Sequence, residues 1–358
     1  MIEISEKQQQ LLKIFLQFGE MSSSAVHASV TEAGPRTSLI TIKRALSEMV
    51  ATGLLAVIGS GRATRYKIAT VGRVFANVDV RQYCAVEPDR RYGLEHFNFQ
   101  LLPELPVDIF SKQEVDMLQH ATRAYEERTT DLSAAMQKKE LERLVIELSW
   151  KSSKIEGNTY TLLDTEKLLT ENTPAVGHDK QEAAMILNHK AAFTWIYSHA
   201  TDFRTLTRAH LEKVHALLVA DLDIDLGIRR KPVGVVGSRY QPLDNAHQVT
   251  EAVDQLTAAV NRMTSPYAKA FVALLGISYI QPFGDGNKRT ARLMANAVLL
   301  AHGRAPLSYR SVDEVAYREA TLALYELNTI VPLRRIFVEQ YTFAASHYGV
   351  KAALQKLK

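Results

Sequence analysis

The stretch QPFGDGNKRTAR, from Gln281 to Arg292, constrains this chain more than any other part of it. It packs two glycines, an acid, two amides and three cations between two helical segments. Upstream, SPYAKAFVALLGISYI is apolar nearly all round, with Ser265 as a cap and Pro266 in the first turn, which predicts a buried helix. Downstream, NKRTARLMANAVLLAH repeats its apolar positions at helical spacing and stops at Gly303. Gly284 and Gly286 therefore fall in the connecting loop, where glycine accepts left-handed dihedrals and lets a ligand approach the backbone. Free N–H groups opening the second helix, with Lys288, Arg289 and Arg292 beside them, predict an anion site suited to a polyphosphate. Asp285, in the same loop, is placed to hold the Mg²⁺ that such a ligand brings.

These residues resemble the signature HPFxDGN(G/K)RxxR of the Fic proteins, most of which move AMP from ATP onto a hydroxyl of a target protein. Pro282, Phe283, Asp285, Gly286, Asn287, Arg289 and Arg292 fall in register. The resemblance implies a catalytic set at Gln281, Asn287 and Arg289. It further implies nucleotide contacts from Gly284, Gly286, Asn287, Lys288, Arg289 and Arg292, with ATP and Mg²⁺ as ligands. Lys288 replaces the glycine of many members, a variant shared with the related Doc kinases. A kinase reading is disfavoured because that family has a shorter chain, alanine in place of Gly286 and usually no second arginine.

The departure is the first letter, where the family histidine is Gln281. That histidine takes the proton of the attacking hydroxyl, which needs a pKa near ambient pH. Glutamine can hydrogen-bond a hydroxyl but has no titratable nitrogen. A general base is worth roughly 10²–10⁴-fold in rate, or about 3–5 kcal/mol of barrier. Transfer is expected to be reduced or absent, and nucleotide binding to survive, because Gln281 is not part of the phosphate cradle. Gln281 marks either a natural pseudoenzyme or an introduced loss.

Two further segments extend the resemblance, which runs roughly from residue 135 to 342. KSSKIEGN fits the (S/T)xxxE(G/N) inhibitory motif through Ser152, Glu156 and Gly157, at the end of a helix carrying Leu141, Leu144, Val145 and Leu148 at helical spacing. The family pairing implied is Glu156 with Arg292, which would otherwise grip the γ-phosphate of ATP. GIRRKPVGVVGSRYQPL reads as a basic turn and a short hairpin, with Val233 and Val235 as strand residues and Gly237-Ser238 as the turn. It resembles the Fic flap that pins the target side chain, with Arg229 just before it.

The first 70 residues predict a separate module of three helices and a hairpin, the winged-helix plan. The third helix, over Thr37 to Thr52, sets apolar residues opposite Lys43 and Arg44. Arg62 and Arg65 fall on the wing, and Arg36 lies nearby. Such a module binds DNA, or else protein or a second copy of itself. Residues 71–134 read as a β/α linker, with VFANVDV and HFNFQLL as alternating stretches. The Fic core spans 135–342, where SVDEVAYREATLALYE predicts a helix with Ser311 and Glu314 as a capping box. A basic tail, 343–358, is suited to self-association.

The expected fold class is mainly α: a Fic-type helical bundle with a β-hairpin flap, preceded by a winged helix-turn-helix domain. A single cysteine, Cys84, leaves no internal disulfide, and eleven scattered histidines show no metal-ligand spacing. A net charge of +4 is too small to imply a polyanion partner by itself. No leader and no bilayer-spanning run is read, so the expected location is cytoplasmic. Two functional classes stay open. One is an autoinhibited adenylyltransferase acting on a protein hydroxyl or on itself. The other is a nucleotide sensor or transcription regulator acting through the winged helix.

Overall fold

The computed structural model describes residues 4–33 and 37–351. The predicted Gly34-Pro35 break, Arg36 and the tail from Ala352 onward lie outside the described residues. The chain divides into two compact units. One is built from the chain up to Ile109, together with Gly234–Gln241 and Val315–Arg334; the other takes Phe110–Val233, Pro242–Glu314 and the chain from Arg335.

The first unit opens with α1 (Glu6–Phe18), started by a capping box between Ser5 and Gln8, followed by α2 (Ser23–Ala33) and α3 (Leu39–Ala51). Ser38 caps α3 by accepting the Thr41 N–H. Leu12 and Phe15 of α1 pack with Val26 of α2 and Ile42, Leu46 and Met49 of α3, so each helix buries one stripe. Strands β1 (Leu55–Ile58) and β2 (Arg65–Ile68) follow as an antiparallel pair, in register from Leu55 opposite Ile68 to Ile58 opposite Arg65. Met21 adds a bridge to Tyr66 on the free side of β2.

Beyond this point the expected β-linker is not formed. Residues 71–110 contain α4 (Thr70–Phe75), α5 (Val80–Cys84) and a short 3₁₀ turn, with no strand of their own. The only ladder contact among the described residues there is a single parallel bridge from His96 to Gln241. The reason lies in where the backbone groups find partners. The Val74 carbonyl accepts the Ile330 N–H, the Ala76 carbonyl accepts the Thr329 hydroxyl, and the Leu94 N–H donates to the Glu326 carbonyl. These partners belong to a helix end and the turn after it, so alternating apolar residues are buried without a strand neighbour.

The second unit holds α6 (Lys112–Thr130), α7 (Ala134–Ile155), α8 (Leu162–Glu171), α9 (Lys180–Ser198) and α10 (Arg208–Leu218). It continues through α11 (Ala246–Arg262), α12 (Pro266–Ile280) and α13 (Asn287–Ala301). The chain then enters α14 (Glu314–Leu327) and α15 (Val331–His347). Helices α12 and α13 form the central pair, buried on nearly every side, and α7, α9, α10 and α11 pack around them. The first five residues of the expected tail, 343–347, continue α15. Ser311 and Glu314 do not make a capping box. Ser311 exchanges hydrogen bonds with the Gln340 amide, and Glu314 pairs with Lys151 at 2.8 Å. Both find longer-range partners that the local spacing could not announce. Among the described residues no helix is long and apolar enough to cross a membrane.

Gly72 marks the tightest approach in the first unit. A Cβ there would lie 2.2 Å from the Leu54 carbonyl oxygen and 3.0 Å from Ile68 Cγ1. Gly72→Ala should therefore lower unfolding stability by about 1–3 kcal/mol through overpacking, read as a lower urea midpoint. An unchanged midpoint would show that α4 is not pressed onto the hairpin in this way.

Candidate nucleotide site

The loop between α12 and α13 is shaped by backbone contacts before any ligand is considered. Helix α12 ends at Gln281, which takes a left-handed conformation, φ 53° and ψ 59°, with its N–H on the Ile277 carbonyl. Arg229 is buried against the same turn. Its Nε donates to the Gln281 carbonyl at 2.6 Å and its N–H to the Pro282 carbonyl at 3.0 Å, with Leu243 as a further acceptor. The Gln281 side chain is 8 % exposed, and its amide donates to the Ser278 carbonyl at 2.6 Å. Asn287 closes the loop, because its amide bonds both the N–H and the carbonyl of Phe283, each at 2.9 Å. Its side chain thus clamps the loop through one amide proton and one lone pair of its oxygen.

Gly286 is the N-cap of α13 at φ 76°, a conformation that favours glycine, and no side chain caps this end. The helix start keeps its N–H groups without intrahelical partners. Gly284 and Asp285 are exposed ahead of it, Asp285 with 67 % of its side chain. Arg289 is buried, with Nη2 3.3 Å from Asp285 and Nη1 without a partner. Burial lowers its pKa, a pull that Asp285 and Glu156 oppose. A buried guanidinium nitrogen with an unspent donor beside uncapped amides fits an anionic ligand such as a polyphosphate.

The segment that resembles the inhibitory motif meets this helix. Helix α7 ends at Ile155, Glu156 is its C-cap, and Gly157 at φ 98° turns the chain away with its N–H on the Lys154 carbonyl. Glu156 Oε1 lies 2.9 Å from Arg292 Nη1, and Oε2 lies 3.4 Å from Lys288 Nζ. Arg292 is fully buried. Its Nε donates to the Ser152 hydroxyl at 2.9 Å and its Nη2 to the Ser152 carbonyl at 2.7 Å. Burial works against the charge on Glu156, yet Arg292 and Lys288, and then Arg289, hold its carboxyl below the usual range. Ser152, Glu156, Gly157, Lys288 and Arg292 therefore come together as one cluster.

Sequence reasoning missed two histidines at this site. His215 on α10 stacks on Phe283 with ring centroids 3.8 Å apart and planes 8° apart, and its Nε2 donates to the Asp285 carbonyl at 3.0 Å. His189 on α9 is fully buried with neither ring nitrogen hydrogen-bonded. The only sequence signal was that each falls on the apolar side of its helix, His215 beside Leu211, Val214 and Leu218.

The remaining expected sites lie apart in the chain's division. Val233 belongs to the second unit, while Val235, Gly237 and Ser238 belong to the first. The expected hairpin has no strand pair. Its turn falls at Val236–Gly237, with the Ser238 N–H on the Val235 carbonyl at 3.2 Å. The Gly237 carbonyl instead accepts Arg91 Nη1, and the Ser238 hydroxyl donates to Glu326. Lys43 and Arg44 are exposed on α3, where Arg44 pairs with Glu48 at 3.2 Å. Arg62 is exposed on the turn between the strands, and Arg65 donates to the Glu20 carbonyl. No group of three or more His, Cys, Asp or Glu able to hold a metal occurs among the described residues. The magnesium expected at Asp285 would rest on one carboxylate and the phosphates it accompanies, which is how Mg²⁺ is commonly held.

A helical bundle with a glycine loop, uncapped helix amides and buried arginines is an arrangement that suits an anionic ligand. Residues 205–299 match the family model described as Fic/DOC family, and the chain carries a domain of that family. It is 29% identical over 156 residues to the protein adenylyltransferase Fic of Drosophila willistoni, covering 43% of this chain and 31% of that one. It is 24% identical over 204 residues to the protein adenylyltransferase fic-1 of Caenorhabditis elegans, covering 54% and 39%. The chain thus spans well under half the length of these curated relatives. Fic-1 of C. elegans is similar in fold, with a TM-score of 0.56 at 21% identity over 66% of this chain and 71% of that one. A Fic domain containing signaling protein of Bacteroides thetaiotaomicron gives 0.53 at 21% identity, over 64% and 94%.

Burial, with Arg292 and Arg289 adding to it, pushes the His189 pKa down to about 3. Its folded value lies below the unfolded one of about 6.5, so between the two the unfolded chain binds a proton that the folded chain does not. The stability from this group is complete above about pH 6.5 and is lost as pH falls toward 3. The stability of the unsubstituted chain should fall by up to about 1.4 kcal/mol per pH unit more steeply in this window than that of His189→Leu. Denaturant titrations at pH 7 and pH 5 check this, and parallel profiles would contradict it.

Proposed function

We propose that this chain is a Fic-type protein adenylyltransferase, held off by Glu156 and weakened further by Gln281. It would move AMP from ATP to a hydroxyl of a target protein or of itself. The observation that carries the reading is the pairing of Arg292 with Glu156 while the neighbouring Arg289 keeps a buried donor unspent. The names of the curated relatives support the activity.

In this reading the uncapped start of α13, with Lys288 and Arg289, receives the phosphates. Mg²⁺ held at Asp285 would neutralise charge on them. The target oxygen bonds to the α-phosphorus, the bond to the departing pyrophosphate breaks, and the hydroxyl proton must go to a base. Gln281 offers none, and its amide is turned to the Ser278 carbonyl. Glu156 on Arg292 denies the γ-phosphate its cation, so the nucleotide is not drawn into line.

Gln281 also favours a second reading, a nucleotide-binding pseudoenzyme that serves as a sensor or transcription regulator. Here the N-terminal helices and hairpin act as a winged helix on DNA. The exposed Lys43, Arg44 and Arg62 support it, as does the Met21 bridge beside β2.

ATP labelled at the α-phosphate separates the two readings. Gln281→His alone leaves ATP out of line, and Glu156→Gly alone leaves the hydroxyl without a base, so each should label protein weakly. The double variant should exceed Glu156→Gly by roughly 10²–10⁴-fold. Glu156→Gly should bind ATP more tightly and Arg289→Ala less. A silent double variant that still binds ATP would leave the sensor standing.

For the N-terminal module, selection from random duplexes at moderate salt should enrich specific sites. Arg44→Ala should weaken binding to them, with a shallower salt dependence. Failure to enrich any duplex would point to a protein-binding or dimerising module.

A further inference from the structure

We propose that His215 is a positioning residue for the phosphate site: it sets the peptide plane between Asp285 and Gly286 and so aims the first amides of α13 at the ligand. This rests on the nucleotide reading above and adds to it a residue outside the signature loop.

The argument begins with the carbonyl of Asp285. A carbonyl can only accept, so the 3.0 Å contact fixes the proton of His215 on Nε2. Nδ1 then carries the lone pair, and it is buried with no hydrogen-bond partner. A neutral ring in this tautomer costs least in such a setting. Burial also holds the imidazole neutral, with its pKa pushed down to about 4. The ring cannot swing away, because it lies flat on Phe283, which is itself fully buried.

The peptide bond is planar and trans, so its C=O and N–H point in opposite directions. Drawing the Asp285 oxygen toward α10 directs the Gly286 N–H away from α10. Gly286 is the N-cap, and no side chain caps the helix there. Without His215 the same peptide could rotate. A left-handed glycine offers little resistance, and the Asp285 carbonyl would then share the space meant for phosphate. The atoms that a Cβ on Gly286 would meet are Val219 Cγ1, Arg289 Nη2 and His215 Cδ2, at 3.4–3.7 Å. Of these residues, His215 alone is a donor to the carbonyl.

Two substitutions separate the hydrogen bond from the packing. His215→Phe keeps an aromatic ring on Phe283 and removes the donor. His215→Gln keeps a donor near the Nε2 position and removes the stack. Affinities of the full-length chain for ATP, ADP and adenosine are measured for each by competition. His215→Phe should lose about tenfold in ATP and ADP affinity, the scale of a buried acceptor left unpaired, while adenosine affinity stays within about twofold. His215→Gln should keep ATP affinity within about threefold. Normal ATP affinity in His215→Phe would overturn the proposal, as would an equal loss for adenosine or a larger loss in His215→Gln. If the unsubstituted chain binds none of the three, the nucleotide reading itself falls, an outcome distinct from those failures.

Discussion

The site turns on one buried charge. Arg292 has no exposed surface, and a guanidinium in that position needs an anion or carbonyl oxygens around it. Leaving such a charge unpaired typically costs 3–5 kcal/mol. Ser152 meets part of the need by accepting from Nε and Nη2. Nη1 meets Glu156 at 2.9 Å. Under the proposed reading, activation would be an exchange of one anion for another beside this guanidinium. A γ-phosphate can supply the second anion. Ser152 would hold the guanidinium in one orientation through the exchange, so Arg292 need not be rebuilt when the anion changes. Lys288 touches the other carboxylate oxygen, which makes Glu156 harder to displace than in a chain with glycine at that position.

Much of this was legible in the sequence because local spacing encodes it. The glycine pair, the cations at the helix start and the Glu156-Gly157 ending of α7 each state a backbone geometry within a few residues. Arg229 was legible too, as the arginine just before the expected flap, although its role as a clamp on the Gln281 and Pro282 carbonyls was not. Expectations failed where long-range partners overrode local pattern. VFANVDV alternates like a strand, but its carbonyls accept from Thr329 and Ile330. Ser311 and Glu314 sit at capping-box spacing, but Gln340 and Lys151 take them first. His215 and His189 were invisible as site residues because a histidine on an apolar helix face looks the same whether it supports a loop or merely fills space.

The first unit shows the same competition in the segment that resembles a flap. Arg91 and Glu326 form a buried pair at 3.1 Å, which Tyr83 completes by donating to Glu326 at 2.7 Å. Ser238 donates to that carboxylate, and Gly237 offers its carbonyl to Arg91. These groups satisfy a buried charge pair that needs further hydrogen bonds to offset its desolvation. Val236, at the turn, remains almost fully exposed, an apolar tip on an otherwise anchored segment.

Position 281 brings the backbone and the chemistry together. A left-handed conformation costs roughly 1–2 kcal/mol for a residue with a side chain. Here it is held by the Gln281 N–H on Ile277 and by Arg229 on the Gln281 carbonyl. Both of these contacts are made by the backbone of Gln281, while its side chain adds a donation to the Ser278 carbonyl. Histidine is several-fold enriched in this region of dihedral space, and it is thus at least as compatible with the backbone as the residue present. Under the proposed reading, any loss at this site would be chemical rather than architectural, because the turn at position 281 is formed and glutamine offers no titratable nitrogen.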